Sequence, residues 1–399
     1  MEKELKLPVL AAASTSCLLI VVSLLVLKDE PFLSWRNQIP NWRGNSDAGE
    51  VGRVTEEGDD PKDLLRRLVR GEERNQLQVG GFACHSDLHT EMCLSAKPIR
   101  ISNGGLTVHV QSDGSQFKRL VQPYARREDE GAMKLVTPLV ATNYNKWWIQ
   151  KYSSILNRLS DYEALNLDDG SVHCFPGAVV GLRYHGNLAL NTSDVPGGHS
   201  MREFRQFLRE SYNLQTKNVH EIEKLQKPVL ILISRSNSRK LLNEAAVVEL
   251  AQELGFQVVT AGPSMMSNLE LFAKIVGSCS ILIGVHGAGL TNEIFLPDNA
   301  VVVQVVLLGL EWGSTNYYEI PATAMDLQYL QYKIEPQESS LADVYGLDHP
   351  VIVDPLSVFA KGYPAVRAVY VDGQNVTINL DRFKGTLEEA MRLVRHSMT

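Results

Sequence analysis

Residues 281–297, ILIGVHGAGLTNEIFLP, combine a short apolar run, a glycine-rich turn, one histidine and a Thr-Asn pair. This mixture suits anion binding. Gly284, Gly287 and Gly289 let the backbone turn sharply and come close to a ligand. His286 adds a donor that changes charge near neutral pH. Thr291 and Asn292 are placed to cap a helix whose free N–H groups would point back at the turn, a setting that favours phosphate. A second polar loop, residues 234–239 (SRSNSR), holds Arg235 and Arg239. Their guanidinium forks stay charged and match phosphate oxygens. Glu311 and Trp312 follow a later apolar run and could hold a ribose or base. The set Arg235, Arg239, His286, Gly287, Gly289, Asn292 and Glu311 therefore reads as the binding site for a nucleotide-sugar diphosphate. Its donors could stabilise a departing nucleoside diphosphate without a metal. No Asp-x-Asp triplet is present to hold a bridging cation, so no metal cofactor is expected. The glycine order, G-x-x-G-x-G late in the chain, differs from the dinucleotide fingerprint after a first strand, which argues against a dehydrogenase. The catalytic base is unassigned; His185 and Asp87 are the candidates.

Both polar loops need a scaffold. Residues 228–233 (PVLILI) read as a buried strand, and 244–254 as a helix stopped by Gly255. Residues 256–260 read as a strand, 268–276 as a helix, and 281–283 and 301–306 as further buried strands. Alternating strands and helices predict a parallel, doubly wound sheet with ligands at the carboxyl ends of its strands. Both candidate loops lie at such ends. Upstream, strands are expected at 106–110 and 139–144, an apolar strand within 172–182, and an amphipathic helix at 201–212. Trp147 and Trp148 suit either stacking on a sugar or core packing. Near the C-terminus, 368–371 reads as a strand and 387–394 as a helix.

The chain has 399 residues, 21% charged, with a net charge of −7. That fits about two globular domains and offers no basic stripe for nucleic acid. Residues 8–27 (PVLAAASTSCLLIVVSLLVL) carry no charge and are long enough to cross a bilayer as a helix. With Lys3 and Lys6 before them, they predict a single-pass type II membrane protein with a lumenal catalytic region. The expected divisions are 1–27 tail and span, 28–80 stem, 81–227 acceptor-side α/β domain, 228–345 nucleotide-sugar-binding α/β domain, and 346–399 a segment packing back on the domains. Sequons at Asn191 and Asn375 fit glycosylation. Cys84 and Cys93 could close a small disulfide loop; together with His85 and His89 they could instead hold zinc.

The sequences ISRSNSRKLLNE (233–244), GVHGAGLTNEIFLP (284–297), VVVQVV (301–306) and HCFPGAVVGLRYHGNLALN (173–191), with the Cys84/Cys93 pair, resemble plant family 61 glycosyltransferases. The resemblance spans about residues 81–397. It implies a GT-B-like fold of two Rossmann-type domains, a Golgi membrane location, and inverting transfer from a UDP-sugar. It points to the branch that adds arabinofuranosyl or xylosyl groups to xylan. A UDP-pentose, a xylan or related cell-wall polysaccharide, and a transferase complex are the implied partners. Arg235, Arg239, His286 and Asn292 fall at motif positions expected to line the donor site. One departure stands out. Similar proteins carry several dozen more residues between 133–138 and 139–144, including a glycine-rich turn and His-Asp-Phe. Two expectations follow: an active pentosyltransferase, or a catalytically impaired isoform that binds UDP-sugar as the partner of a sister transferase.

Overall fold

The computed structural model describes residues 65–87, 90–102, 107–110, 146–159, 172–175, 177–181, 183–223 and 227–396. It divides into two units. The first comprises Met1–His185 and Thr192–Gly198, and the second Gly186–Asn191 and His199–Thr399.

In the first unit, helix α1 (Gly71–Gly80) leads into strands β1 (Phe82–Ser86) and β2 (Glu91–Ser95). These pair antiparallel with Cys84 opposite Cys93, and the two cysteines form a disulfide. The bridge removes both thiolates, so these sulfurs cannot serve zinc. Strands β3 (Ile99–Ser102) and β4 (Thr107–Val110) form a second sheet with β5 (His173–Phe175), while β6 (Ala178–Gly181) joins β2. The single strand expected within 172–182 is thus two strands in two sheets. Gly177 makes the step between them, because a Cβ there would lie 2.6 Å from Ser95 O. Leu65, Val69, Leu77, Ala83, Met92 and Leu94 form one small core, and Ile99, Ile101, Phe175 and Ala178 another. Helices α2 (Lys146–Lys151) and α3 (Ser153–Leu159) complete the described part. All described strand pairs here are antiparallel, unlike a Rossmann-type domain. The strand expected at 139–144 and the departure beside it lie outside the described residues.

The second unit holds the doubly wound sheet. Strands β7 (Val229–Ile233), β8 (Gln257–Ala261), β9 (Ile281–Val285), β10 (Val301–Val306) and β11 (Gln328–Lys333) are all parallel, in the order β11-β10-β9-β7-β8. β7, β9 and β10 are buried along their whole length, as expected of runs covered on both faces. Helix α4 (Met201–Ser211) opens this unit with a capping box between Ser200 and Glu203. Helix α5 (Glu244–Glu253) ends at Gly255 (φ 96°), and α6 (Leu269–Val276) is capped by the Asn268 side chain. Residues 368–371, expected as a strand, belong instead to a π-helical turn, Arg367–Asp372. It continues the helix Tyr363–Val366, whose hydrogen bonding the β-branched Val369 and Val371 do not overcome. The last helix, α7 (Leu380–His396), packs on α5, β10 and β11.

Two buried arginines fasten α4 to the sheet. Arg205 is 2% exposed; its Nη1 donates to Leu296 O at 2.7 Å and its Nη2 to Asp298. One turn on, Arg209 donates to the carbonyls of Phe295 and Thr216. Together they satisfy carbonyls at the exit of the 288–295 segment that follows β9.

The single-pass Golgi membrane location is corrected. Its span, residues 8–27, lies outside the described residues, and among the described residues no helix is long and apolar enough to cross a membrane.

Replacing Arg205 by Leu leaves Leu296 O buried without a donor. The expected cost is about 2–3 kcal/mol of unfolding free energy in urea titrations, against a change near zero for the exposed Lys274→Ala.

Candidate functional site

The sheet order fixes where a site can form. From β7 the chain moves to β8 on one side, then crosses back to β9 on the other. β7 and β9 are therefore neighbours at a switch point, where a crevice opens beyond their carboxyl ends. Their register pairs Ile233 with Gly284, so the loop 234–239 and the turn 286–289 emerge side by side. Arg239 Nη1 donates to His286 O at 3.0 Å, and Arg235 Nε to Ser238 O at 2.9 Å. Gly287 has φ 153°, and a Cβ there would come within 2.9 Å of Arg235 Cζ and 3.1 Å of Arg239 Nη1. Only glycine lets both guanidinium groups lie over this turn. At Gly289 a Cβ would strike Ile233 Cγ2 at 2.7 Å, so this residue keeps the two loops closed together.

Neither arginine forms an ion pair among the described residues. Burial, and then the neighbouring Arg239, bring Arg235 down to about 10; burial also lowers Arg239. Both stay charged at neutral pH. Burial, then Arg239 and Arg235, push His286 down to about 3, so its ring is neutral. Arg239 Nε is buried without a partner. Among the described residues, neither Arg235 Nη atom nor His286 Nε2 makes a hydrogen bond. Spare cationic and neutral donors thus gather at one turn, and no carboxylate among the described residues forms an ion pair with them.

Behind the turn, His286 Nδ1 lies 2.9 Å from Gln304 Nε2 and 3.1 Å from Ser314 Oγ. Tyr329 OH donates to Gln304 Oε1 at 2.7 Å, and the Tyr318 ring stands edge-on to the His286 ring. The polar pair after the turn behaves differently from expectation. A 3₁₀ helix, Ala288–Phe295, begins directly after Gly287. Thr291 Oγ1 donates to Ala288 O at 2.6 Å and Asn292 Nδ2 to Gly289 O at 2.9 Å. Both side chains serve the interior of that helix and do not cap it. The turn reaches helical geometry sooner because Leu290 N already bonds Gly287 O. Glu311 begins the short helix Glu311–Ser314, where its Oε1 accepts from Gly309 N at 3.3 Å; Trp312 beside it is 65% exposed.

Three site residues were missed in the sequence reading: Gln304, Ser314 and Gln374. Gln304 carried a signal, since a lone amide in VVVQVV must be bonded if the strand is buried. Gln374 is fully buried. Its Oε1 accepts from Leu308 N, its Nε2 donates to Leu308 O, and its own carbonyl accepts from Arg239 N at 2.7 Å. The next residues repeat the pattern. Asn375 Oδ1 accepts from Lys240 N, and Val376 N donates to Lys240 O. Residues 374–376 therefore clasp the loops after β7, β10 and β11. The amide oxygen of the Asn375 sequon is engaged in that clasp, whereas Asn191 is exposed.

The other candidates lie in the first unit. Asp87 Oδ1 accepts from Thr90 N and Oδ2 from Thr90 Oγ1. His185 Nδ1 is buried without a partner, and burial followed by Arg183 lowers its pKa. Trp147 is exposed beneath the Lys151 ammonium, while Trp148 packs against Tyr152.

Residues 186–303 match the family model for glycosyltransferase 61. Over that stretch the chain is similar to glycosyltransferase 61 proteins. Both polar loops of the site lie within it. The chain is 39% identical over 249 residues to an alpha-1,3-arabinosyltransferase of Oryza sativa subsp. japonica, covering 61% of this chain and 43% of the relative. It is 35% identical to a xylan glycosyltransferase of Arabidopsis thaliana (63% and 54% covered). It is 36% identical to a beta-1,2-xylosyltransferase of Oryza sativa subsp. japonica (64% and 56% covered). The chain spans about half the length of these relatives.

Two outcomes follow from this geometry. Gly287→Ala should push the Arg235 and Arg239 guanidinium groups off the turn and weaken binding of UDP or pyrophosphate at least tenfold by calorimetry. His286 should also make the fold acid-sensitive. Its folded pKa lies below the unfolded value of about 6.5, so its contribution is complete above that pH and is lost as pH falls towards about 3. Denaturant titrations from pH 7 to pH 4 should show wild type losing more stability than His286→Gln.

Proposed function

We propose that this chain is an inverting, metal-independent glycosyltransferase that moves a pentose, arabinofuranose or xylose, from a UDP-sugar to xylan or a related cell-wall polysaccharide. The observation that carries the reading is the pair of carboxylate-free arginines over Gly287, at the switch point of a parallel sheet. In the reaction, an acceptor hydroxyl attacks the anomeric carbon as the bond to the diphosphate breaks. The leaving group gains negative charge, and Arg235, Arg239 and the neutral His286 donate to it. Two permanent cations supply what a metal supplies elsewhere. The second unit is the donor-binding half of a GT-B arrangement, a reading supported by its strand order and by the position of the two loops. The names of the relatives, an arabinosyltransferase, a xylosyltransferase and a xylan glycosyltransferase, support the pentose and the acceptor.

A second reading is a UDP-sugar-binding protein without transferase activity, partner to a sister enzyme. One observation favours it. Both Asp87 oxygens are held by Thr90, and His185 has lowered basicity, so neither candidate is well suited to take the acceptor proton.

The test uses the full chain, with UDP titrated by calorimetry and transfer assayed from UDP-arabinofuranose and UDP-xylose to xylan oligosaccharides. Arg235→Ala and Arg239→Ala should each weaken UDP binding about ten- to a hundredfold, the value of a hydrogen-bonded charge. Unchanged affinity in both variants would sink the donor-site reading. Binding without transfer selects the second reading.

A further inference from the structure

We propose that Gln304 is a positioning residue that fixes His286 as its Nε2–H tautomer, so that the ring's single N–H faces a bound diphosphate. The diphosphate part rests on the donor-site reading above; the tautomer part does not.

A neutral imidazole has one N–H and one acceptor nitrogen, and its neighbours decide which is which. Two groups face Nδ1: Gln304 Nε2 at 2.9 Å and Ser314 Oγ at 3.1 Å. The structure places the Gln304 amide oxygen 2.7 Å from Tyr329 OH, which donates to it, and the NH₂ between His286 and Ser314. An amide nitrogen donates and has no lone pair to offer. Nδ1 must then accept, and the ring proton sits on Nε2. The second Gln304 N–H goes to Ser314 Oγ at 3.0 Å, so both donors of the amide are used.

The far side of the ring fits the same arrangement. Among the described residues Nε2 has no hydrogen-bond partner, and it is not among the nitrogens buried without one. The His286 carbonyl is held by Arg239, so the backbone of the same residue is fixed as well. Gln304 itself is fully buried in β10, opposite Gly284 of β9, and cannot touch a ligand. Its effect passes through His286. The opposite tautomer would turn an Nε2 lone pair towards phosphate oxygens, which repels where donation is needed. Burying an amide in an apolar strand is costly unless every polar atom is bonded, and here each one is.

The experiment is ¹⁵N NMR of the full chain labelled at histidine, without UDP, at pH 7.5. The His286 signal is assigned by its loss in His286→Gln. The expected result is a protonated Nε2 and an unprotonated Nδ1; an Nδ1–H ring in wild type would overturn the proposal. With its carboxyl ionised, Gln304→Glu offers Nδ1 only acceptor oxygens. It should move the proton to Nδ1 and weaken UDP binding about tenfold, the loss of one hydrogen bond to a charged group. A folded Gln304→Glu protein that keeps the Nε2–H form, or wild-type affinity for UDP, would also overturn it. Should that variant not fold, the wild-type spectrum alone decides the tautomer. Failure of wild type to bind UDP would remove the diphosphate reading and leave the tautomer to be judged by the spectrum.

Discussion

The parallel pairing of β7 with β9 is the constraint on which the site depends. Its register sets Ile233 against Gly284, and every contact between the two polar loops follows from it. Side chains alternate faces along a strand, so a slip of one residue would send each side chain of the slipped strand to the opposite covering layer. Burial of VLILI and ILIGV on both sides makes that slip very unfavourable. Positions 235 and 239 are therefore delivered to the turn at 286–289 by the hydrophobic effect acting elsewhere. Arg205 and Arg209 hold the far end of that turn's helix through the carbonyls they satisfy.

What the register brings together is unfavourable in isolation. Two half-buried guanidinium groups lie beside each other without an ion pair among the described residues, and burial lowers the pKa of each. Burial, reinforced by their charge, suppresses protonation of His286, which makes that ring a neutral donor and not a third cation. Native folds carry such costs where function needs them, because the surrounding packing fixes the arrangement. Here the fixing is done by glycine at 287, the carbonyl of His286 and the backbone of Gln374.

The second unit was largely legible in the sequence because it obeys strong patterns. Continuous apolar runs gave β7, β9 and β10, and Gly255 marked the end of α5. β11 escaped notice because QYLQYK is polar, as suits an edge strand with one side open. The two halves of 172–182 looked like one strand because periodicity carries no information about which sheet a segment joins. Residues 368–371 looked extended from β-branched content, while the local hydrogen bonds favoured a helical turn. At the site, glycine and arginine announced themselves by type. Ser314 and Gln374 did not, since their roles come from contacts made across 28 and 66 residues of chain.

The clasp at residues 374–376 bears on how this chain could be re-engineered. The stretch matched by the family model stops at residue 303, yet Arg239 N bonds a carbonyl 71 positions beyond that boundary. The sequence module and the mechanical module are therefore different objects. A chimera that exchanged only 186–303 between relatives would transplant the arginines without the strut that aims them. Its losses would then be mistaken for poor donor recognition. The transferable part is the loop together with its clasp.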